Sequence, residues 1–204
     1  MLGLPVSTEI RKPVPKTVIY EKFATELTGN RKKSFEKDIS RILVVNEISS
    51  ASVNIREGDE VKSIFAVFVE IKDKTYNEKN ISLIARLFGQ RLLIILHYNE
   101  EYQLAIYQTK ILCSEWFKDG EKNLRLEGLT LDNVWQNLVS QVSGIYPQDD
   151  RTLDEQITLE GEKDKLQKQI DQLEVQTRRE PQSKKKYEMH NRVIQYKKRL
   201  EDMK

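Results

Sequence analysis

One cysteine, Cys113, occurs in 204 residues, which excludes an internal disulfide and any cysteine-rich zinc site. The two histidines, His97 and His190, stand far apart, so neither a two-histidine metal site nor a triad is visible. The longest aliphatic run, Leu92-Leu93-Ile94-Ile95-Leu96, falls far short of the roughly 18–20 residues needed to cross a bilayer. No basic start, apolar stretch and cleavage site open the chain, because Glu9, Arg11 and Lys12 arrive too early. Neither Gly-x-Gly-x-x-Gly nor Gly-x-x-x-x-Gly-Lys-Ser/Thr is found, which removes the standard modes of nucleotide binding. Charge of one sign is also lacking: 34 basic against 32 acidic residues leave a formal net of +2. These absences predict a reduced, cytoplasmic location and no cofactor.

What is present is uneven. Apolar types make up 38% and charged types 32%, a balance that predicts one core plus a charge-rich extension. Residues 1–150 hold 20 basic and 21 acidic side chains, whereas 151–204 hold 14 and 11. Glycine and aromatic residues thin out after Tyr146, and Pro147-Gln148-Asp149-Asp150 reads as a breaker. The expected division is an α/β core over 1–147 and a helical hairpin over 148–204.

The expected core is a mixed sheet flanked by helices. Ser34 is taken as the N-cap of a helix carrying Phe35, Ile39, Ile42 and Leu43 on one face. Val53-Asn54-Ile55 reads as a short strand, and Arg56-Glu57-Gly58-Asp59 as a turn. Val61 to about Lys72 then forms a strand apolar on both faces, a pattern that belongs in the centre of a covered sheet. Ile81, Ile84, Ala85 and Phe88 make a helical stripe ending near Gly89. Arg91–Tyr98 and Tyr102–Leu112 read as a hairpin joined by Asn99-Glu100-Glu101. A last core helix, Leu131–Val142, carries Val134, Leu138 and Val142 at steps of four.

The tail follows a different period. Met189, Val193, Tyr196, Leu200 and Met203 are spaced 4, 3, 4, 3, the a/d rhythm of a coiled-coil seam. Leu159, Leu166, Ile170 and Leu173 keep the same rhythm upstream, and Arg179-Glu180-Pro181 interrupts it. Two antiparallel arms, about 152–178 and 183–203, follow. Their charges are opposite, with a net of −3 over 151–177 and +6 over 178–204. The five seam residues of the second arm are the candidate partner-binding positions, whether for another protein, for a second copy or for the first arm.

Chemistry has one sharp candidate, Glu70-Ile71-Lys72 at the end of the central strand. An acid and a lysine two apart on a strand project to one face. In Mg²⁺-dependent nucleases of the restriction type such an acid holds metal and such a lysine orients water. A second acid must reach the same ion. Asp59 on a continuous strand would lie roughly 36 Å away at 3.3 Å per residue, and Glu57 and Glu60 fare no better. Glu36 or Glu47 on the expected first helix is the remaining source. A solvated strand end is the simpler reading, with no metal. Cys113 reads as a packed residue. Arg31-Lys32-Lys33, Lys184-Lys185-Lys186 and Lys197-Lys198-Arg199 are short basic clusters that would touch phosphates without reading sequence, with Tyr187 and Tyr196 as the nearby aromatics.

Several segments together resemble a known family. Ile10-Arg11-Lys12-Pro13-Val14-Pro15-Lys16 is similar to a Lys-x-x-Pro-Lys signature, and Val53-Asn54-Ile55 with the long apolar strand follows. Leu126-Glu127-Gly128-Leu129-Thr130-Leu131-Asp132-Asn133-Val134-Trp135 contributes a Leu-x-Gly-Leu-x-Leu-Asp block. Arg179-Glu180-Pro181-Gln182, Lys185, Glu188 and Asn191 complete the match. The chain resembles the bacterial domain of unknown function 4391 family, departing from it at Gly89-Gln90-Arg91, where relatives commonly carry Ile-Pro. The resemblance implies a small prokaryotic protein encoded beside helicase-like ATPases and DNA methyltransferases, in clusters resembling restriction or antiphage defence. The expected function is a non-catalytic accessory subunit of such an assembly, held by a larger helicase or methyltransferase. A Glu-x-Lys nuclease using Glu70, Lys72 and Mg²⁺ is the alternative.

Overall fold

A computed structural model describes residues 2–148 and 150–203. The chain divides into two compact units, Met1–Ile145 and Tyr146–Lys204. Asp149, in the expected boundary, lies outside the described residues.

The first unit is built on a mixed sheet. In chain order its strands are β1 (Glu9–Pro13), β2 (Ile39–Ser49), β3 (Ser63–Ile71), β4 (Arg91–Tyr98), β5 (Glu101–Tyr107), β6 (Ile111–Cys113) and β7 (Phe117–Lys118). The spatial order is β1-β2-β3-β4-β5-β6, and β7 also pairs with β5. Among the described strands only β3 and β4 pair in parallel; the other neighbouring strands are antiparallel. A parallel pair needs a crossover, supplied here by the segment 72–90, which contains a helix. The helices are α1 (Lys16–Lys22), α2 (Gly29–Asp38), α3 (Ser50–Val53), α4 (Glu78–Ala85) and α5 (Leu131–Ser143).

Two apolar layers sandwich the sheet. On one face Ile42, Val44, Val67, Val69, Leu92, Ile94 and Leu96 pack with Ile19 of α1, Phe35 of α2 and Ile81 and Ile84 of α4. The alternate residues Ile64, Ala66, Leu93, Ile95, Leu104 and Ile106 are also buried, and α5 packs on β3, β5 and β6. The central strand is therefore apolar on both faces, as its sequence predicts.

Three local expectations are corrected. The stripe Phe35, Ile39, Ile42, Leu43 is not one helix: Thr28 precedes α2, which ends at Asp38, and Ile39 opens β2. The run Ile39–Ser49 is rich in β-branched residues, and Ile42, Val44, Asn46 and Ile48 alternate into the interior along its pairing with β3. Val53-Asn54-Ile55 is not a strand. Ser49 and Ser52 form a capping box on α3, and Asn54 ends it at φ +54°. The strand expected over Tyr102–Leu112 breaks at Gln108-Thr109-Lys110 and returns as β6, with Tyr107 opposite Ile111. Elsewhere, α4 stops at Ala85, four residues before Gly89.

The second unit is a pair of helices, α6 (Leu153–Arg179) and α7 (Ser183–Asp202), joined by a three-residue turn containing Pro181. At 1.5 Å per residue the longer arm extends about 40 Å. Leu166, Ile170 and Val193 form its small core, with Leu173, Tyr196, Leu200 and Met203 packed around them. Lys197 Nζ of the basic arm lies 2.8 Å from Glu174 Oε1 of the acidic arm.

Candidate functional site

The end of β3 decides whether Glu70-Ile71-Lys72 can act on a substrate. Glu70 sits opposite Arg41 on β2 and beside His97 on β4. Arg41 Nε lies 3.3 Å from Glu70 Oε2. The register position from which a neighbouring strand could offer a second carboxylate therefore holds a guanidinium.

Lys72 is committed elsewhere. Its ammonium donates to the carbonyl of Glu36 at 2.8 Å, and its backbone N–H donates to the carbonyl of Asp38. Lys16, at the start of α1, donates to the carbonyl of Ile39 at 2.6 Å. These carbonyls belong to the C-terminal end of α2, where acceptors lack helical partners and the dipole favours cations. Burial, then the neighbouring Lys72 ammonium, lowers the Lys16 pKa from its ordinary value, with Glu36 acting against both. The lysine of the Lys-x-x-Pro-Lys signature and the lysine of Glu-x-Lys thus hold one helix end.

The other acids do not converge on Glu70. Asp59, Glu60 and Glu57 lie in the loop entering the opposite end of β3, where Glu60 pairs with Arg91 and Glu57 with Lys62. Glu47, expected on a helix, lies on β2 opposite Phe65, five residues along β3 from Glu70. Glu36 lies in the last turn of α2, and its carboxylate accepts from Tyr20 at 3.2 Å. Among the described residues no group of three or more His, Cys, Asp or Glu side chains could hold a metal ion.

His97 lies between the tilted rings of Phe68 and Tyr102, with centroids 5.3 and 4.8 Å away. Cys113 contacts the Tyr76 hydroxyl at 3.8 Å, and burial pushes its thiol pKa up.

Of the candidate partner-binding residues, Val193, Tyr196, Leu200 and Met203 pack against α6 within the hairpin, and Met189 is half-buried. The seam is occupied within the chain. Lys184, Lys185, Lys186, Lys198 and Arg199 are exposed on α7, and Lys197 is the partner of Glu174. Two large apolar residues missed by the heptad reading, Tyr187 and Ile194, are 67% and 53% exposed. Seven residues apart, they share a face about 160° from the seam at 100° per residue. The signal was present in the sequence, as a second apolar stripe offset by two from the first.

Four positions of the Leu-x-Gly-Leu-x-Leu-Asp block, Gly128, Thr130, Leu131 and Asp132, have a structural role, whereas Leu129 is 82% exposed. Thr130 caps α5 reciprocally with Asn133, and Leu131 N–H donates to the carbonyl of Arg56. Asp132 accepts from the backbone N–H groups of Asp59 at 2.7 Å and Val61 at 2.8 Å. Gly128 has φ +150°, and a Cβ there would stand 2.6 Å from Asn133 Cβ. The block fastens the start of α5 to the loop that feeds β3. Neither a curated protein nor a solved structure matches the chain. One family description does match, "Domain of unknown function (DUF4391)", over residues 2–200. With nearly the whole chain spanned, the protein belongs to that family.

Proposed function

We propose that this chain is a non-catalytic accessory subunit, held within a larger bacterial, cytoplasmic DNA-targeting assembly of the restriction or antiphage-defence kind. The observation that carries this reading is the Arg41–Glu70 pair. A metal-dependent hydrolase needs a second anionic ligand beside the first, and a guanidinium at that position both repels the cation and occupies the acid. Lys72, directed to the end of α2, is equally withdrawn from chemistry. These contacts count against the Mg²⁺-dependent nuclease reading built on the same two residues.

The hairpin is the docking element. Its seam is filled internally, so a partner meets the outer faces. The outer face of α7 offers Tyr187 and Ile194 within a strongly basic arm. Exposed aromatic and aliphatic anchors with charge around them are the ordinary composition of a binding patch. The partner is a larger helicase-like ATPase or DNA methyltransferase presenting an acidic, partly apolar surface. Basic residues at Lys184, Lys185, Lys186, Lys198 and Arg199 add auxiliary phosphate contact where DNA passes near.

Expression of the native gene neighbourhood with a tag on this chain tests the reading. The expected result is co-elution with a helicase or methyltransferase, lost in Tyr187→Glu/Ile194→Glu while helicity is retained. Elution of the chain alone with every neighbour present would overturn it, as would Mg²⁺-dependent DNA cleavage abolished by Glu70→Ala.

A further inference from the structure

A cavity of about 290 Å³ opens on the sheet face that carries Phe68 and Ile95. Its floor is apolar and comes from three adjacent strands: Leu43 and Val45 of β2, Phe68 of β3 and Ile95 of β4. Leu4 adds an apolar wall, and Arg11, Arg41, Glu9 and Asn46 supply the polar lining. Ligand sites are typically of this composition, a mostly apolar hollow with few polar groups, and begin near 300 Å³.

The backbone around the cavity is irregular. The β1–β2 ladder slips between Glu9 and Lys12, and the β2–β3 ladder slips between Ile39 and Arg41 and again between Val44 and Asn46. Arg11, Arg41 and Val45 lie in or at the edge of these irregularities, and all three line the cavity. Arg11 also holds φ +46°, a left-handed conformation that side chains with a Cβ rarely adopt. Bulges and strained residues concentrate where a side chain is re-aimed for a purpose. Here they bring two guanidinium groups to one apolar hollow.

Both guanidinium groups stay open to solvent beside their ion pairs: Arg41 Nε lies 3.3 Å from Glu70 with its side chain 59% exposed, and Arg11 Nη2 lies 3.8 Å from Glu9 with its side chain 82% exposed. A guanidinium carries five donors and prefers a planar, two-oxygen acceptor. We propose that this cavity binds a small organic carboxylate with an aromatic or branched apolar body. The body rests on Leu43, Val45, Phe68 and Ile95, and the carboxylate is received by Arg11 and Arg41. The site is independent of the docking face on α7.

The test uses the full chain and two probes of equal shape, naphthalene carboxylate and naphthalene methanol. Binding is followed by the methyl resonances of Leu43, Val45 and Ile95. Saturable shifts at these methyls, with the carboxylate bound more tightly than the alcohol, are expected. Arg11→Gly suits the left-handed backbone and so preserves the fold, while Arg41→Gln removes the second charge. Each should weaken the carboxylate about tenfold, the scale of a hydrogen bond to a charged group, and leave the alcohol unchanged. Equal affinity for both probes, indifference to both substitutions, or no shift up to about 1 mM would overturn the assignment.

Discussion

A Cβ added at Gly58 would sit 2.1 Å from Oδ1 of Asp132, because that carboxylate folds over the loop to reach the Asp59 and Val61 amides. Gly58→Ala should therefore displace the clamp and destabilise the protein by about 1–3 kcal/mol, the range for overpacking. Asp132→Ala, which leaves two backbone donors without their anion, should fall in a similar range of about 1–3 kcal/mol. In urea unfolding the double variant should lose much less than the two single losses combined, since both break one contact. Full additivity would show that Gly58 is needed for another reason. This clamp was illegible in the sequence as a contact. Gly58 reads as a turn glycine and Asp132 as a helix-start acid, and only the meeting of α5 with the β3 entry joins them. Arg41 is a similar case: nothing in Ser40-Arg41-Ile42 marks it until the β2–β3 register sets it against Glu70.

Among elements, the hairpin is the most exposed to a single loss. Its core has three buried residues, of which Ile170 is 1% exposed. Ile170→Ala should cost about 2–4 kcal/mol locally, within the range for buried aliphatic truncation. Far-UV circular dichroism should show helix lost at lower urea than in the parent. A single unchanged transition would contradict a hairpin held by this seam. The heptad rhythm made α6 and α7 legible because a two-helix pair has one interface and one period. Helix α5 was legible for the same reason. Strand β2 was not: Phe35, Ile39, Ile42 and Leu43 satisfy helical spacing as well as they satisfy the end of α2 followed by a strand. The tie is broken by β3, whose long pairing reaches from Ile39 to Ser49.

At the scale of the whole molecule, several carboxylates share one electrostatic direction. A hydrogen bond from Arg86 holds Glu26 below its ordinary pKa, the Thr152 amide does the same for Glu155, and Lys197 for Glu174. For Asp132, desolvation pushes upward, but the amides of Val61, Asp59 and Glu60 together with Lys62 outweigh it. A depressed folded-state pKa gives stability that is present above the unfolded value and lost as pH falls through the folded one. Stability should thus be level near neutrality and decline below the ordinary values of 4.5 for Glu and 3.8 for Asp. On the alkaline side, burial raises Tyr76 far above its ordinary 10.0 and Cys113 above 9.0, so unfolding releases protons the native state retains. Stability should fall again there, blunted by Lys16 and Lys122, whose pKa values burial lowers. Urea midpoints from pH 3 to 11 check both limbs, and a midpoint still rising below pH 4 would reject the acid one. The sequence by itself determined the division into a mixed core and a charged hairpin, because apolar periodicity and charge segregation are properties of neighbours along the chain. Only the tertiary structure decided what Glu70 and Lys72 do, since their partners Arg41 and the end of α2 arrive through strand pairing and helix packing between distant residues.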